Sequence, residues 1–313
     1  MKPHIPVKPK ILVVGSSNTD MVLRLPRLPR PGETLLGGEF ESAAGGKGAN
    51  QAVAAARAGG HVSFLARVGT DDLGENAIAG FRRDEIDVGH VLRTEGKPSG
   101  VALILVSEKG ENSIGVAPGA NASLSPEDVH AAISAFEQAE IVLVQLETPL
   151  QTVAAVVDLA NSLGKRVILN PAPAAELSED LLKGVSLLTP NETEAEILSE
   201  IRVTDGETAE RAGRELQRRG VASVIVTCGA AGVLLLEGAR GMLVPTRRVA
   251  AVDTTAAGDV FNGALAVALG EGRTLEASVR FANAAASISV TRRGAQPSAP
   301  YREEIEAALR ETW

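Results

Sequence analysis

Short apolar runs rich in β-branched residues alternate along the chain with longer, alanine-rich segments. The runs have the length of strands and the longer segments that of helices. The predicted strands are residues 10–15, 62–69, 101–106, 141–146, 166–170, 186–190, 223–227 and 232–237. The predicted helices are residues 47–58, 73–85, 125–139, 150–163, 191–199, 206–219, 257–270 and 274–291. Because strands that are apolar on both faces and alternate with helices are typical of parallel sheets, the pattern predicts an α/β fold: a mostly parallel central sheet flanked by helices on both faces.

Two segments, 19–44 and 97–118, interrupt this alternation. The first alternates apolar and polar side chains and then has three prolines within residues 26–31, as in half-buried β-structure with turns. We expect both segments to form an antiparallel β-flap that protrudes from the sheet as a small lid; the alternative is a pair of ordinary edge strands. Since no repeat or linker divides the chain, a single domain over 1–313 is predicted, with 1–9 as a flexible extension.

Composition excludes several classes of protein. The 313 residues are 44% hydrophobic and 22% charged, which predicts a folded chain, and the net charge of −8 argues against nucleic-acid binding. Cys228 is the single cysteine, so no intramolecular disulfide can form and a reducing cytoplasm is the expected location. No apolar stretch reaches the roughly 18 residues of a spanning helix, so no membrane association is expected.

Three stretches of small residues are candidates for ligand binding: GGKGAN (45–50), TCGAAG (227–232) and TTAAGD (254–259). The two common nucleotide-binding glycine motifs, G-x-x-x-x-G-K-[ST] and G-x-G-x-x-G, are absent from the sequence. In the third stretch a helix is predicted to begin near Ala257, where unpaired backbone N–H groups and the helix dipole favour an anion. Asp259 then lies beside that anion. The alternative is that Asp259 only complements the dipole and Gly258 only permits tight packing.

Taken together, the motifs resemble the ribokinase family of carbohydrate kinases. The two signatures are GGKGANQAVAAARAG and DTTAAGDVFNGAL, and the shorter motifs are NTD, QLETP, NPAPA, TPNETEAE, TCGAAGV and TRRGAQPS, in the family's order from about residue 10 to 310. The resemblance implies a ribokinase-like fold and ATP-dependent phosphorylation of D-ribose at O5. Many members read G-A-G-D where this chain reads Ala256-Ala257-Gly258-Asp259, and alanine at the first position favours the ribokinase subgroup.

The resemblance also implies roles for residues at the sugar end of the site. Asp259 is the expected general base for the primary hydroxyl of the sugar. The backbone amides of the anion hole are those of Ala256, Ala257, Gly258 and Asp259. The expected sugar-binding residues are Asn18, Asp20, Gly46, Lys47, Gly48, Ala49, Asn50, Glu147 and Asp259. Each has a structural alternative: Asp20 as a strand end, Lys47 as a solvated lysine, Asn50 as an inward-facing polar group.

The nucleotide site is implied in the same way. Its expected residues are Asn191, Thr227, Cys228, Gly229, Ala230, Ala231, Gly232, Gly258, Asp259 and Asn283. Cys228 itself is expected to be a packed thiol, since no histidine motif accompanies it. Mg²⁺ is expected near Glu194 of the N-x-x-E motif, where the alternative is a capping pair with Asn191.

A monovalent cation, usually K⁺ in the family, is implied beside the anion hole. A second carboxylate, Asp253, stands six residues before the base, and a bound cation would offset its charge. The expected ligands, mostly through backbone oxygens, are Asp253, Thr255, Ser289, Arg292, Gly294 and Ser298. The alternative is that Asp253 caps a turn or pairs with Arg292 or Arg293.

Other functions are weighed against this one. The same chemistry on 2-deoxyribose, fructose or a nucleoside is the nearest alternative, although Phe40 is the sole aromatic ring in the flap and nucleobase stacking is disfavoured. A sugar-binding protein without catalysis is disfavoured because Asp259 and Glu194 are both present. An NAD-dependent dehydrogenase is disfavoured because the chain lacks the glycine motif of that class. A protruding apolar flap also needs cover, so we expect a homodimer through the flaps.

Overall fold

The computed structural model of the chain describes residues 8–311. Within them the strands are β1 (Lys10–Val14), β2 (Asn18–Leu25), β3 (Glu39–Gly45), β4 (His61–Gly69), β5 (Val91–Thr94), β6 (Gly100–Ser107), β7 (Asn112–Ala117), β8 (Ile141–Val144), β9 (Arg166–Leu169), β10 (Leu187–Leu188), β11 (Ser223–Thr227), β12 (Val233–Glu237) and β13 (Arg240–Val244). The helices are α1 (Lys47–Arg57), α2 (Asp72–Arg83), α3 (Pro126–Ala131), α4 (Ile133–Gln138), α5 (Leu150–Ser162), α6 (Glu179–Lys183), α7 (Glu192–Ser199), α8 (Gly206–Arg218), α9 (Ala257–Gly270), α10 (Leu275–Ser289) and α11 (Arg302–Arg310).

Nine of these strands form the central sheet, in the order β13-β12-β11-β10-β9-β8-β1-β4-β5. Neighbours pair in parallel except at β12, which is antiparallel to both β11 and β13. One face is covered by α1, α9 and α10 around Phe281, and the other by α5 and α8 around Leu216 and Val156. The predicted α/β fold with a mostly parallel sheet and helices on both faces is therefore confirmed.

A second, four-stranded sheet has the order β3-β2-β6-β7 and is built from the two segments that interrupt the alternation. β2 pairs antiparallel with β3, and β6 pairs antiparallel with β7. β2 and β6 pair in parallel, so the expectation of a wholly antiparallel flap is wrong. The physical reason is that α1, β4, α2 and β5 lie between the two strands, and so long a connection can return the chain in the same direction.

Several elements differ from the sequence prediction. The single helix expected over 125–139 is two helices that meet at Ala132, whose ψ of 15° departs from the helical value. The sequence pattern missed β5, β13, α6 and α11. The first three are short, and α11 is largely charged, with Ile305 and Ala308 buried. Residues 1–7 of the expected extension lie outside the described residues. Pro9, which the extension included, is buried and accepts a hydrogen bond from His61 N.

The parallel arrangement brings the polar ends of the strands to one edge. β1 is followed by Ser16, β8 by Glu147, β9 by Asn170 and β10 by Asn191. Because the strands point the same way, these side chains meet at the carboxyl edge of the sheet, which is the usual ligand position in such folds. Between residues 8 and 311, no helix is long and apolar enough to cross a membrane.

Candidate active site

Asp259 lies in the first turn of α9, and its carboxylate is held from both sides. It is buried, with Oδ2 accepting from Asn50 Nδ2 at 2.9 Å and Oδ1 accepting from Gln51 Nε2 at 2.9 Å. Burial raises the pKa of Asp259, and the nearby charge of Lys47 and the two amide donors oppose that rise. Gly258, one residue earlier, is exposed, and a Cβ built on it would meet nothing within 4 Å. The chain therefore leaves open space in front of the helix start, directly beside a buried carboxylate.

The turn before α9 is strained at one residue. Ala256 is the N-cap and has a left-handed backbone, with φ of 58°. A left-handed conformation costs a non-glycine residue about 1–2 kcal/mol. The first N–H groups of α9 have no side-chain cap from Ala256, which leaves the start of the helix available to an anion. The expected anion hole lies here, and within it Ala257 N donates to Thr254 O at 3.3 Å.

The N-terminus of α1 is built on glycines and is capped from a distant part of the chain. Gly46 has a φ of 88°, and a Cβ on it would lie 2.6 Å from Asn18 N. Glu147 supplies the cap that glycine cannot, because its Oε2 accepts from Lys47 N at 2.9 Å and from the hydroxyl of Ser16. Glu147, expected to bind sugar, thus has one carboxylate oxygen committed to the helix start. Gly48 and Ala49 are buried in the first turn of α1.

Asp20 and Asn18 extend from β2 toward the same space. The carboxylate of Asp20 lies against Gly45, where an added Cβ would be 2.3 Å from Oδ2. Burial first, and then the charges of Glu147 and Asp259, raise the pKa of Asp20 to about 6, while Lys47 lowers it. Asn18 Oδ1 accepts from Asn121 Nδ2 at 2.7 Å.

Lys47 is the cation shared by these acids. Its charge lowers the pKa of Asp20, Asp259 and Glu194 against the effect of burial. Four carboxylates, counting Glu147, therefore share one region with one ammonium group. Such a region suits hydroxyl donors and cations, because carboxylates accept charge-assisted hydrogen bonds.

The N-x-x-E motif forms a capping box. Asn191 Oδ1 accepts from Glu194 N at 2.8 Å, and Glu194 Oε2 accepts from Asn191 N at 2.9 Å. The capping alternative is thus present in the structure, and it leaves lone pairs on both carboxylate oxygens. Burial raises the pKa of Glu194 even though the Asn191 N–H and Lys47 lower it. A buried carboxylate in this region fits Mg²⁺, which takes few protein ligands and prefers oxygen.

Asp253 joins the two loops of the expected monovalent-cation site. Its Oδ1 accepts from Thr255 N and its Oδ2 from Gly294 N, both at 2.9 Å. Burial alone would raise the pKa of Asp253, but these bonds lower it overall. Arg292 pairs with Glu304, so pairing of Asp253 with Arg292 is not the arrangement here.

The oxygens around this carboxylate suit a large monovalent ion. Ser289 and Ser298 are buried, and each hydroxyl donates to a carbonyl three residues earlier, so its lone pairs are not consumed. Across residues 8–311, no group of three or more His, Cys, Asp or Glu side chains could hold a metal ion. A potassium ion does not need such a cluster of side chains. One carboxylate together with carbonyl and hydroxyl oxygens fits it.

The expected nucleotide residues lie at the end of β11 and on α10. Thr227 N donates to Pro190 O at 2.9 Å, which brings the turn beside the capping box, and Gly232 has a φ of 105°. Burial raises the pKa of Cys228 to about 11, so it is a thiol at neutral pH. The exposed backbone of this turn comprises Gly229, Ala230 and Ala231. Asn283 is buried, with its amide 3.3 Å from Pro245 O.

Sequence reasoning missed a set of buried polar residues behind the site. They bond to the expected residues or continue their network: Ser16, Gln51, Asn121, Gln145, Asn170, Thr189 and Asn262. Two signals could have found some of them, since Gln51 directly follows Asn50 and Asn170 begins the NPAPA motif. Gln145, Thr189 and Asn262 likewise lie within the motifs QLETP, TPNETEAE and DTTAAGDVFNGAL, whereas Ser16 and Asn121 carry no local signal.

The geometry indicates a class of protein: a buried carboxylate at an open helix start, beside further carboxylates that can accept hydrogen bonds from hydroxyl groups, suits phosphoryl transfer to an alcohol. The pfkB family carbohydrate kinase model matches residues 8–302, so the chain belongs to the pfkB family of carbohydrate kinases. A ribokinase of Haemophilus influenzae is 43% identical over 294 residues, which are 94% of this chain and 96% of that one. A deoxyribokinase of Salmonella typhi is 37% identical over 300 residues, which are 96% of this chain and 98% of that one. The structure of Arabidopsis thaliana ribokinase complexed with ribose and ATP matches with a TM-score of 0.91 and 34% identity. The match covers 98% of this chain and 100% of that one.

These matches confirm the resemblance to the ribokinase family that the motifs indicate. They also confirm that the chain is an enzyme, a kinase of carbohydrates.

Asp20→Asn should change how stability depends on pH. With the folded pKa raised from 3.8 to about 6, the protonated acid is favoured by folding. The contribution of protonated Asp20 to the free energy of unfolding is present at low pH and is lost as the pH rises between about 4 and 6. The free energy of unfolding of Asp20→Asn relative to wild type should therefore rise by up to about 3 kcal/mol between about pH 4 and pH 7.5. Urea unfolding at both pH values measures this.

The exposed Asp158 on α5 provides the matched control, Asp158→Asn, which should show no such rise. A pH-independent difference for Asp20→Asn would contradict the raised pKa.

Proposed function

We propose that the chain transfers the γ-phosphoryl group of ATP to O5 of D-ribose. The observation that carries the proposal is Asp259, a buried carboxylate held by two amides beside the open start of α9. Support also comes from relatives named ribokinase and from the similarity to a ribokinase complexed with ribose and ATP.

The proposed mechanism uses the described contacts. Asp259 takes the proton of the O5 hydroxyl as that oxygen attacks phosphorus, and ADP leaves. The N–H groups at the start of α9, from Ala256 to Asp259, stabilise the transferred phosphoryl group. Lys47, which already balances Asp20 and Asp259, lies where it can also bind a sugar oxygen or a phosphate.

Sugar binding is assigned to the polar groups on β2 and α1. Asp20 offers two acceptor oxygens to adjacent hydroxyls, and Asn50 Oδ1 is buried with no partner among the described residues, so it can accept from a sugar hydroxyl. Asn18 and Gly46 are assigned to the same proposed sugar-binding site. The turn at Thr227–Gly232 and Asn283 are assigned to ATP.

Two cations accompany this proposal. Mg²⁺ bound with ATP neutralises phosphate charge, and Glu194 with Asn191 would hold it and its waters. A potassium ion would be held by the residues around Asp253 and would shape the turn that carries the anion hole.

A second acceptor, 2-deoxyribose, is the alternative with a specific observation behind it, because a deoxyribokinase is 37% identical to this chain. Fructose and nucleosides have weaker support. A single, free cysteine favours a cytoplasmic location.

The four-stranded sheet is proposed to be a lid. Its register places Ile114 and Val116 on the same face as Asp20, where they would cover the sugar and exclude water. Phe40 and Leu103 are on the other face and are 64% and 57% exposed. A second copy of the chain is proposed to cover this outer face.

Asp259→Asn should reduce turnover by roughly 10²–10⁴, the usual contribution of a positioned base. Ribose binding, measured by calorimetry, should persist, since the side chain keeps its shape. Asp72 also lies in the first turn of a helix but is exposed, so Asp72→Asn is the matched control with normal turnover. Near-normal turnover of Asp259→Asn at saturating ribose would show that Asp259 is not the base.

K⁺ should raise turnover several-fold over a bulky organic cation at equal ionic strength, with Mg²⁺ and ATP fixed. Na⁺ should be less effective, because the site is proposed to suit the larger ion. Asp253→Asn, which can accept only one of the two N–H bonds, should need more K⁺ for the same rate. Identical rates with all three cations would leave Asp253 with a structural role alone.

The chain should sediment as a dimer at micromolar concentration. Leu103→Glu places a charge on the proposed interface and should shift the protein toward monomer. Ile133→Glu is the control, because Ile133 is 44% exposed on α4, outside the four-stranded sheet. A wild-type monomer would contradict the dimer.

A further inference from the structure

A chain of buried amides lies behind Asp259 and is not explained by sugar or nucleotide binding. Gln51 is fully buried, and its Nε2 donates to Asp259 Oδ1 at 2.9 Å and to Asn170 Oδ1 at 3.0 Å. Gln145 Nε2 donates to Gln51 Oε1 at 2.6 Å. Both amide hydrogens of Gln51 and its carbonyl oxygen are therefore engaged.

The direction of these bonds is set by a backbone carbonyl. Asn170 Nδ2 donates to Thr189 O at 3.1 Å, and a carbonyl oxygen can only accept. Asn170 must then turn its Oδ1 toward Gln51, and Gln51 must present its NH₂ group. The same NH₂ group faces Asp259, so the carboxylate meets a donor whose orientation cannot reverse without breaking two further bonds.

Gln51 also fixes the helix that carries the base. Its carbonyl lies at the crossing of α1 and α9, where a Cβ on Gly263 would be 2.6 Å from Gln51 O. Its side chain ties the start of α9 to the ends of β8 and β9 through Gln145 and Asn170. Backbone and side chain of one residue thus define where the carboxylate stands.

We propose that Gln51 is a positioning residue for phosphoryl transfer: it holds Asp259 Oδ1, so that Oδ2 takes the hydroxyl proton, and it favours the ionised carboxylate. Asn50, the donor to Oδ2, has its own Oδ1 unpaired and is the residue proposed to bind a sugar hydroxyl, so that side of the carboxylate is assigned to the acceptor. The inference rests on the proposed function of Asp259 as base.

The charges around Asp259 explain why neutral donors are needed. Lys47 on α1 favours the ionised form, whereas Glu147, Asp20 and Glu194, from three other parts of the chain, oppose it. Burial opposes it as well. Amide donors that cannot lose their hydrogens therefore favour the ionised form of Asp259 where burial and like charges oppose it.

Gln51→Met tests the proposal, because methionine has a similar shape but no donor. Losing one hydrogen bond to a charged group should lower kcat by about 10-fold and move the acid limb of the kcat–pH profile up by about one pH unit. KM for ribose and for ATP should stay near the wild-type values, since Gln51 is fully buried and its side chain is bonded to Asp259, Asn170 and Gln145. Gln145→Met is the matched control: it removes the neighbouring amide and keeps both donors to Asp259, so its acid limb should stay in place.

An unmoved acid limb in Gln51→Met, or an equal shift in Gln145→Met, would overturn the proposal. If Gln51→Met does not fold, Gln51→Glu is the second variant, because glutamate has the shape of glutamine. The carboxylates of the introduced glutamate and of Asp259 would then share a proton. The acid limb of the kcat–pH profile should therefore move up further than in Gln51→Met. An acid limb at the wild-type position in that variant would also overturn it. Failure of the base assignment is a separate result, because Asp259→Asn would then retain turnover.

Discussion

The contact between α1 and α9 is the constraint on which the site depends. The two helices cross at Gly263, where a Cβ would lie 2.6 Å from Gln51 O and 2.7 Å from the side chain of Ala54. This close approach lets Asn50 and Gln51, in the first turns of α1, reach Asp259 in the first turn of α9. The start of α9, with its partial positive charge, thus stands against the first turns of α1, whose own first N–H groups are bonded to Glu147 and Ser16. Residues of the sheet edge, such as Glu147, fix α1 from the other side.

That positive potential is balanced by an unusual concentration of acids. Asp20, Glu147, Glu194 and Asp259 share the region of Lys47, and burial makes the ionisation of Asp20, Glu194 and Asp259 costly. Without ligands, protonation of Asp20 relieves part of this cost, which is why its pKa rises to about 6. The sugar hydroxyls and cations proposed to bind here would relieve this cost without a proton. Under the proposed function, the stability of the protein and the binding of its substrates are therefore linked through the same carboxylates.

The sequence predicted the layers of the fold and the segments of the site, because both leave local patterns. Alternating apolar runs revealed the sheet, and small residues beside Asp259 revealed the helix start. The pairing of β2 with β6 and the cap that Glu147 gives to α1 could not be predicted, since the partners are far apart in sequence: Lys47 and Glu147 are separated by 100 residues. Gln51 was missed although it directly follows Asn50 in the first signature, because its acceptor is 208 residues away and nothing local shows that its side chain reaches α9.

The central claim is that this arrangement serves ribose as acceptor. The most direct measurement is a competition in which ribose, 2-deoxyribose and fructose are present together with limiting ATP, and phosphorus NMR identifies each product and the oxygen that carries the phosphate. Since Asp20 is proposed to bind adjacent hydroxyls, ribose 5-phosphate should be the main product. The kcat/KM for 2-deoxyribose should be lower by about ten-fold or more, as expected for one lost charge-assisted hydrogen bond. Equal use of 2-deoxyribose, preference for fructose, or phosphate on another oxygen of ribose would contradict the account.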